Sequence, residues 1–156
     1  MSNRVHPFLK SFLSQWHPAR FTVEGVEYNC AEQFMMYQKA ILFCDDKMAA
    51  KILTTDKPHE QKLMGQYVKD FVSEVWEKHK VDIVTRGNYA KFSQNSGLRK
   101  KILATGDDIL AEANAKDIFW GIGLAEDDPD VQNPEKWKGD NLLGKALMDV
   151  RDRLRA

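Results

Sequence analysis

Asn29-Cys30-Ala31-Glu32-Gln33-Phe34-Met35-Met36-Tyr37-Gln38-Lys39-Ala40-Ile41-Leu42-Phe43 is the stretch that decides the fold. It contains no Gly or Pro and is rich in helix-tolerant residues. Asn29 stands where a cap would, with Glu32 three residues on, so the spacing predicts a capping box and a helix running to Phe43. Glu32 and Lys39 are two turns apart at about 100° per residue, pointing the same way about 10 Å apart along the axis. Met35, Met36 and Phe43 share that face, which is not the composition of a solvated stripe. If the face is buried, desolvation disfavours the charged forms of both groups, and a lysine becomes a usable nucleophile or proton donor near neutral pH. A structural role fits the same two residues. Glu32 would favour the helix N-terminus, and Lys39 would reach solvent along its methylene stem.

Upstream, an apolar lead of Phe8, Leu9, Phe12 and Leu13 precedes two β-prone runs. These are Arg20-Phe21-Thr22-Val23 and Val26-Glu27-Tyr28, joined by Glu24-Gly25, and they predict a short N-terminal hairpin. Downstream, Asp45 or Asp46 can cap a second helix through Leu53, and Pro58 suits the first turn of a third. A longer helical stretch runs from about Asp70 towards Asn95 with Gly87 as an irregularity, until Asn95-Ser96-Gly97 breaks it. Leu98 to Ala104 gives a short helix, and Ile109 to Ala113 alternates as a strand would, with a helical turn as the competing reading. Lys116 to Leu124 is too glycine-rich for a long helix, and Glu126 to Gly139 is a polar loop. Asn141 caps a final helix whose Leu142, Leu143, Ala146, Leu147, Val150 and Leu154 fall at helical spacing. The expected fold is mainly α, one compact helical domain over residues 1–156 with a few short β-strands, including the hairpin.

Composition narrows the function. A chain of 156 residues suits one domain, and 23 basic against 23 acidic residues leave no net charge. Non-specific grip on long nucleic acid usually needs a basic excess, so a nucleotide-sized ligand or a short nucleic-acid segment fits better. Arg99-Lys100-Lys101 and the trio Arg151, Arg153, Arg155 read as solvated helix faces. No apolar run approaches the roughly 20 residues that span a bilayer, which predicts no membrane association. Met1-Ser2-Asn3-Arg4-Val5-His6-Pro7 has no apolar secretory core, so a soluble, intracellular protein is expected. Cys30 and Cys44 make no disulfide framework, and His6, His17, His59 and His79 lack ligand spacing, so neither a metal nor a cofactor is expected. Chemistry must rest on carboxylates and an amine.

Two later clusters also carry candidate chemistry. In Ala113-Asn114-Ala115-Lys116-Asp117-Ile118-Phe119-Trp120-Gly121-Ile122-Gly123-Leu124, Gly121 and Gly123 permit close backbone approach and Trp120 offers a flat face to a base or sugar. Asp117 suits ribose hydroxyls or the orientation of a proton carrier. A tight structural turn explains the same residues, and a Rossmann reading lacks its third glycine. In Trp137-Lys138-Gly139-Asp140-Asn141-Leu142-Leu143-Gly144, the helix N-terminus beyond Asn141 exposes N–H groups that suit a phosphate, or Asn141 only caps and Gly144 only lets a helix pack.

Taken in order, the chain's motifs resemble the NADAR/YbiA family. They are Phe12-Leu13-Ser14-Gln15-Trp16-His17-Pro18 with Phe21, Gly25-Val26-Glu27-Tyr28, Ala31-Glu32-Gln33 with Tyr37-Gln38-Lys39-Ala40, and Lys91-Phe92-Ser93-Gln94-Asn95. Leu103-Ala104-Thr105-Gly106-Asp107, Trp120-Gly121-Ile122-Gly123 and Asn141-Leu142-Leu143-Gly144-Lys145-Ala146-Leu147-Met148 with Val150-Arg151 complete the set, so the match runs from about Phe8 to Leu154. The resemblance implies a compact, mainly helical fold and cleavage of an N-glycosidic bond between ribose and a base-like nitrogen. Lys39, Glu32 and Asp117 are then the expected catalytic residues. Ser14, Trp16, Arg20, Trp76, Trp120, Gly121, Gly123 and Asn141 are expected to bind substrate. Val84, where many members carry Met, and Gly87 are modest departures.

The resemblance implies two substrate branches, ADP-ribose attached to guanine in nucleic acid or nucleotides and early phosphoribosyl-amine intermediates of riboflavin biosynthesis. The partners it implies are an ADP-ribose-containing ligand, ADP-ribosylated DNA or RNA, and a functional pairing with an ADP-ribosyltransferase. Cleavage builds positive charge on ribose C1 and negative charge on the departing nitrogen, so a carboxylate and a proton donor are the minimum equipment. Glu32 is expected as the general acid/base and Lys39 as the amine that forms a transient Schiff base, with direct attack by water as the rival. A non-catalytic nucleotide reader would need no amine at C1, and a helical interaction module would leave the tryptophan and glycine clusters without a purpose.

Overall fold

The structure, a computed structural model, describes residues 4–156; the stretch read for a secretory signal begins in residues 1–3, outside them. In chain order come strands β1 (Val5–Phe8), β2 (Phe21–Val23) and β3 (Val26–Tyr28), then helices α1 (Ala31–Leu42), α2 (Asp46–Ile52), α3 (Pro58–Gln66), α4 (Ser73–Gln94) and α5 (Ser96–Ala104). Strand β4 (Ile109–Glu112), a 3-10 turn at Pro134–Lys136 and helix α6 (Leu142–Arg155) complete the order. About half the chain is helical, as the sequence pattern requires. Packing divides it into two compact units, one of Gln15–Asn95 and one that joins Ser96–Ala156 to the chain before Gln15.

The Gln15–Asn95 unit is built around α1. The predicted hairpin forms, with Phe21 opposite Tyr28 and Val23 opposite Val26. Tyr28 and Phe34 meet edge to face with centroids 5.0 Å apart, and Phe21 lies 5.7 Å from Tyr28, fixing hairpin to helix. Helices α2, α3 and α4 all pack on α1, whose residues Ala31–Met36 are buried without a break. Gly87 does not disturb α4. A Cβ there would stand 2.5 Å from Phe34 Cδ1, so the glycine is what lets α4 close on α1.

Asn29 does not cap α1 as expected. The cap position is Cys30 and makes no side-chain bond, while Asn29 binds sideways, donating to Thr55 O at 3.2 Å and accepting from Gln61 Nε2 at 3.0 Å. The reach back along the chain comes from Gln33, whose Oε1 accepts the Asn29 N–H at 2.8 Å. Glu32 therefore has no part in capping the helix.

In the second unit, β1 and β4 pair in parallel, Val5 against Ile109 through Phe8 against Glu112. That settles Ile109–Glu112 as strand. Val5, Ala111, Ala113, Ile122, Leu124 and Val131 form its core, with Trp137 against it. Helix α6 packs on β4 closely enough that a Cβ on Gly144 would overlap the Leu110 carbonyl. No helix among the described residues is long and apolar enough to cross a membrane.

Candidate active site

The Gln15–Asn95 unit brings together four of the expected residues: Trp16, Glu32, Lys39 and Trp76. Glu32, in the first turn of α1, is 7% exposed. Burial pushes its carboxyl up from an ordinary 4.5 to about 7, against the opposing pull of Lys62, a hydrogen bond from Trp16 and the charge of Lys39. Such a group exchanges a proton near neutral pH. Lys39, two turns on, is half-buried, and burial lowers its proton affinity while the Glu32 charge raises it. Its Nζ sits 4.7 Å from the centroid of Phe71 and 5.5 Å from that of Trp76, within cation–π range of both. The face that spacing marked as acid and amine is buried at Glu32, Met35 and Met36 and half-buried at Lys39.

Two residues that the sequence did not single out set this geometry. Gln15 accepts the Glu32 N–H on its carbonyl at 2.9 Å, contacts the Met35 sulfur at 3.8 Å and takes the Asn88 amide on Oε1 at 2.6 Å. Those contacts hold the chain at Gln15 against α1 and α4 and so bring the Trp16 indole to Glu32. Phe71 lies in the connection between α3 and α4, where no periodicity marks it. A second buried amine, Lys91, is lowered to about 7 by burial and lies beside Cys30, whose thiol burial raises to about 11. Arg20 stands exposed just before β2, where its guanidinium pairs with Glu27 at 2.6 Å.

The other unit holds Ser14, Asp117, Trp120, Gly121, Gly123 and Asn141. Asp117 Oδ1 accepts the N–H groups of Phe119 and Trp120, each at 2.9 Å, an Asx turn that sets the Trp120 backbone. Ser14 is half-buried, its N–H bound to Ser11 O at 2.9 Å. Gly121, Gly123 and Asn141 each have a structural use in this unit. A Cβ on Gly121 would lie 2.9 Å from Asp117 O, and Gly123 has φ 73° with Lys138 close beside it, so both glycines serve the turn itself. Asn141 stands at the head of α6 with φ 54° but makes no cap bond. Its side chain is 2% exposed and spans to β4, donating to Leu110 O at 2.9 Å and accepting the Glu112 N–H at 3.1 Å. The amide thus ties the head of α6 to β4 through one bond from each of its two polar atoms. Among the described residues no group of His, Cys, Asp and Glu could hold a metal ion.

Residues 4–155 match the NADAR domain family. The chain is 46% identical over 145 residues to N-glycosidase R617 of Acanthamoeba polyphaga mimivirus, covering 89% of this chain and 85% of that protein. It is 30% identical to N-glycosidase YbiA of Escherichia coli over 132 residues, 85% of this chain and 74% of YbiA. The NMR structure of E. coli YbiA superposes with a TM-score of 0.80 at 26% identity, over 99% of this chain and 87% of that one. The riboflavin biosynthesis protein VVA0006 of Vibrio vulnificus is 29% identical over 92% of this chain but only 35% of its own length.

Proposed function

The chain belongs to the NADAR family, and from that premise we propose that it hydrolyses the bond between ribose C1 and a base nitrogen, with ADP-ribose attached to guanine as its substrate. It is an enzyme of the N-glycosidase class, as its relatives are named. The observation that carries the chemistry is the buried Glu32, raised to about 7 beside an amine whose proton affinity burial lowers. Protonated Glu32 delivers its proton to the departing guanine nitrogen as the C1–N bond breaks. Unprotonated Lys39 bonds C1, and ring opening gives an imine. Water adds to that imine with Glu32, now a carboxylate, taking the proton; the sugar leaves and the amine is restored. Trp16 and Trp76 border this acid and amine with flat aromatic surface that suits a base or sugar.

The absence of net charge supports a substrate recognised as a nucleotide or a short exposed segment. An ADP-ribosyltransferase that attaches the group is the partner activity this substrate requires. The riboflavin intermediates form the second reading, favoured by the name of the Vibrio relative. A pure reader would have no use for a buried acid beside a desolvated amine.

The test is chromatographic. Wild type and Lys39→Ala are each incubated with an ADP-ribosylated guanine oligonucleotide and, separately, with the riboflavin intermediate. Release of ADP-ribose by the wild type alone is the expected result. Loss of only the riboflavin intermediate would move the protein to metabolite clearance, and binding without turnover of either would overturn the hydrolytic reading.

A further inference from the structure

Of the two rings beside the Lys39 amine, the nearer is carried by a loop. Trp76 is buried on α4, but Phe71 is 44% exposed and rests on Phe43 with centroids 5.4 Å apart. The loop is not at ease locally, since Asp70 holds φ 57° in the left-handed region that non-glycine residues seldom adopt. Its tether is Asp45. One carboxylate oxygen, Oδ1, accepts the Met48 N–H at 3.1 Å and caps α2, while Oδ2 accepts the Lys69 N–H at 2.9 Å. Asp45 is itself anchored beside the site, because its own N–H donates to Ala40 O at 2.8 Å, one residue beyond Lys39. The Lys69 and Met48 N–H groups hold its carboxyl below the ordinary carboxylate range, so both bonds are made by a charged acceptor at neutral pH.

We propose that Asp45 is a positioning residue for Lys39: by gripping the Lys69 N–H it seats Phe71 over the amine. The ring excludes water from one side of Nζ and offers its face to the ammonium, so the amine's exposure and proton affinity both depend on where Phe71 sits. A residue read only as a helix cap thus reaches the reacting group through a second bond 24 residues along the chain. The proposal rests on the reading of Lys39 as a reacting group, and the two can be tested apart.

Asp45→Ser keeps a good cap for α2 but is too short to reach Lys69; Asp45→Asn, with one acceptor oxygen, is the second variant should the first not fold. Phe71→Leu removes the ring and leaves both Asp45 bonds intact. In protein carrying 13C at lysine Cε, the Lys39 methylene signal, assigned by its loss in Lys39→Arg, is expected upfield of the other lysines through ring currents. It should move towards the ordinary lysine position in Asp45→Ser and in Phe71→Leu. A Lys39 signal unmoved by Asp45→Ser, in a spectrum otherwise native, overturns the proposal. On the same samples kcat should fall about tenfold with KM nearly unchanged, as for a misplaced reacting group. The double variant should be no slower than Phe71→Leu alone, and additive losses would overturn the proposal as well. A signal that moves while kcat holds leaves Asp45 positioning Lys39 and instead removes Lys39 from the chemistry.

Discussion

The backbone N–H of Glu32 donates to the carbonyl of Gln15 at 2.9 Å, so a first-turn donor of α1 is satisfied from outside the helix. With Gln33 reaching back to Asn29, the helix end needs nothing from the Glu32 carboxyl, which takes the Trp16 indole instead. An acid that would otherwise serve its own helix is left available for the proton transfer proposed for it.

If Glu32 is the proton donor, kcat/KM falls as pH rises through about 7. Trp16→Phe removes a hydrogen bond that favours the carboxylate, so the limb should shift to higher pH. Because Trp16 is 43% exposed, its loss should cost little stability. A pH–rate profile of both proteins checks this, and a limb that shifts downward would contradict the assigned bond.

The same carboxyl links pH to stability. Its folded-state value of about 7 lies above the ordinary 4.5, so between those values the folded protein holds a proton that the unfolded chain has released. Stability from Glu32 is full below about 4.5 and is lost as pH rises through about 7, on the order of 3 kcal/mol in all. Glu32→Gln, which mimics the protonated form, should unfold several degrees above wild type at pH 8 and close to it at pH 5. It should also lose at least ~100-fold in turnover. Calorimetry at the two pH values, beside an activity assay, is sufficient.

Lys39 distinguishes the Schiff base from direct attack by water. Cyanoborohydride added during turnover should leave a reduced adduct on the Lys39 peptide, found by mass spectrometry. Lys39→Arg keeps the charge without a usable amine and should be as inactive as Lys39→Ala. Activity in Lys39→Arg with no trapped adduct would favour water.

Gly87→Ala pits two effects against each other. Alanine gains about 1 kcal/mol in helix propensity, but its methyl group would meet Phe34, and overpacking costs about 1–3 kcal/mol. The clash should win and Tm should fall. Adding Phe34→Leu should recover part of the loss, and a Gly87→Ala protein more stable than wild type would refute the close packing.

What the sequence made legible follows from range. The hairpin, the helix to Leu42 and the cap at Asp45 rest on neighbours a few residues apart, and each forms. The reason for Gly87 lies 53 residues away at Phe34, so locally it looked like a flaw in a helix. Asn141 stands where a cap stands, yet its amide is drawn to β4 by partners about 30 residues earlier, which no local pattern reveals. In the site, Glu32 and Lys39 showed through helical periodicity. Gln15 and Phe71 sit in loops, which have no period to reveal which way a side chain points.

The pairing of β1 with β4 has a consequence for synthesis. Val5 waits for Ile109, a partner 104 residues later, which at ribosomal speed is a delay of roughly 5–20 s. Meanwhile Gln15–Asn95 has been made in full and can begin to fold. In its folded form Gln94 bonds both the N–H and the carbonyl of Thr22 at 2.8 Å, and Asn95 donates to Arg20 O at 2.9 Å, so the two ends of that segment lie side by side. A long open loop is thereby replaced by two short tethers, and part of the entropy of closing it, on the order of 1 kcal/mol, has been spent before the second strand emerges.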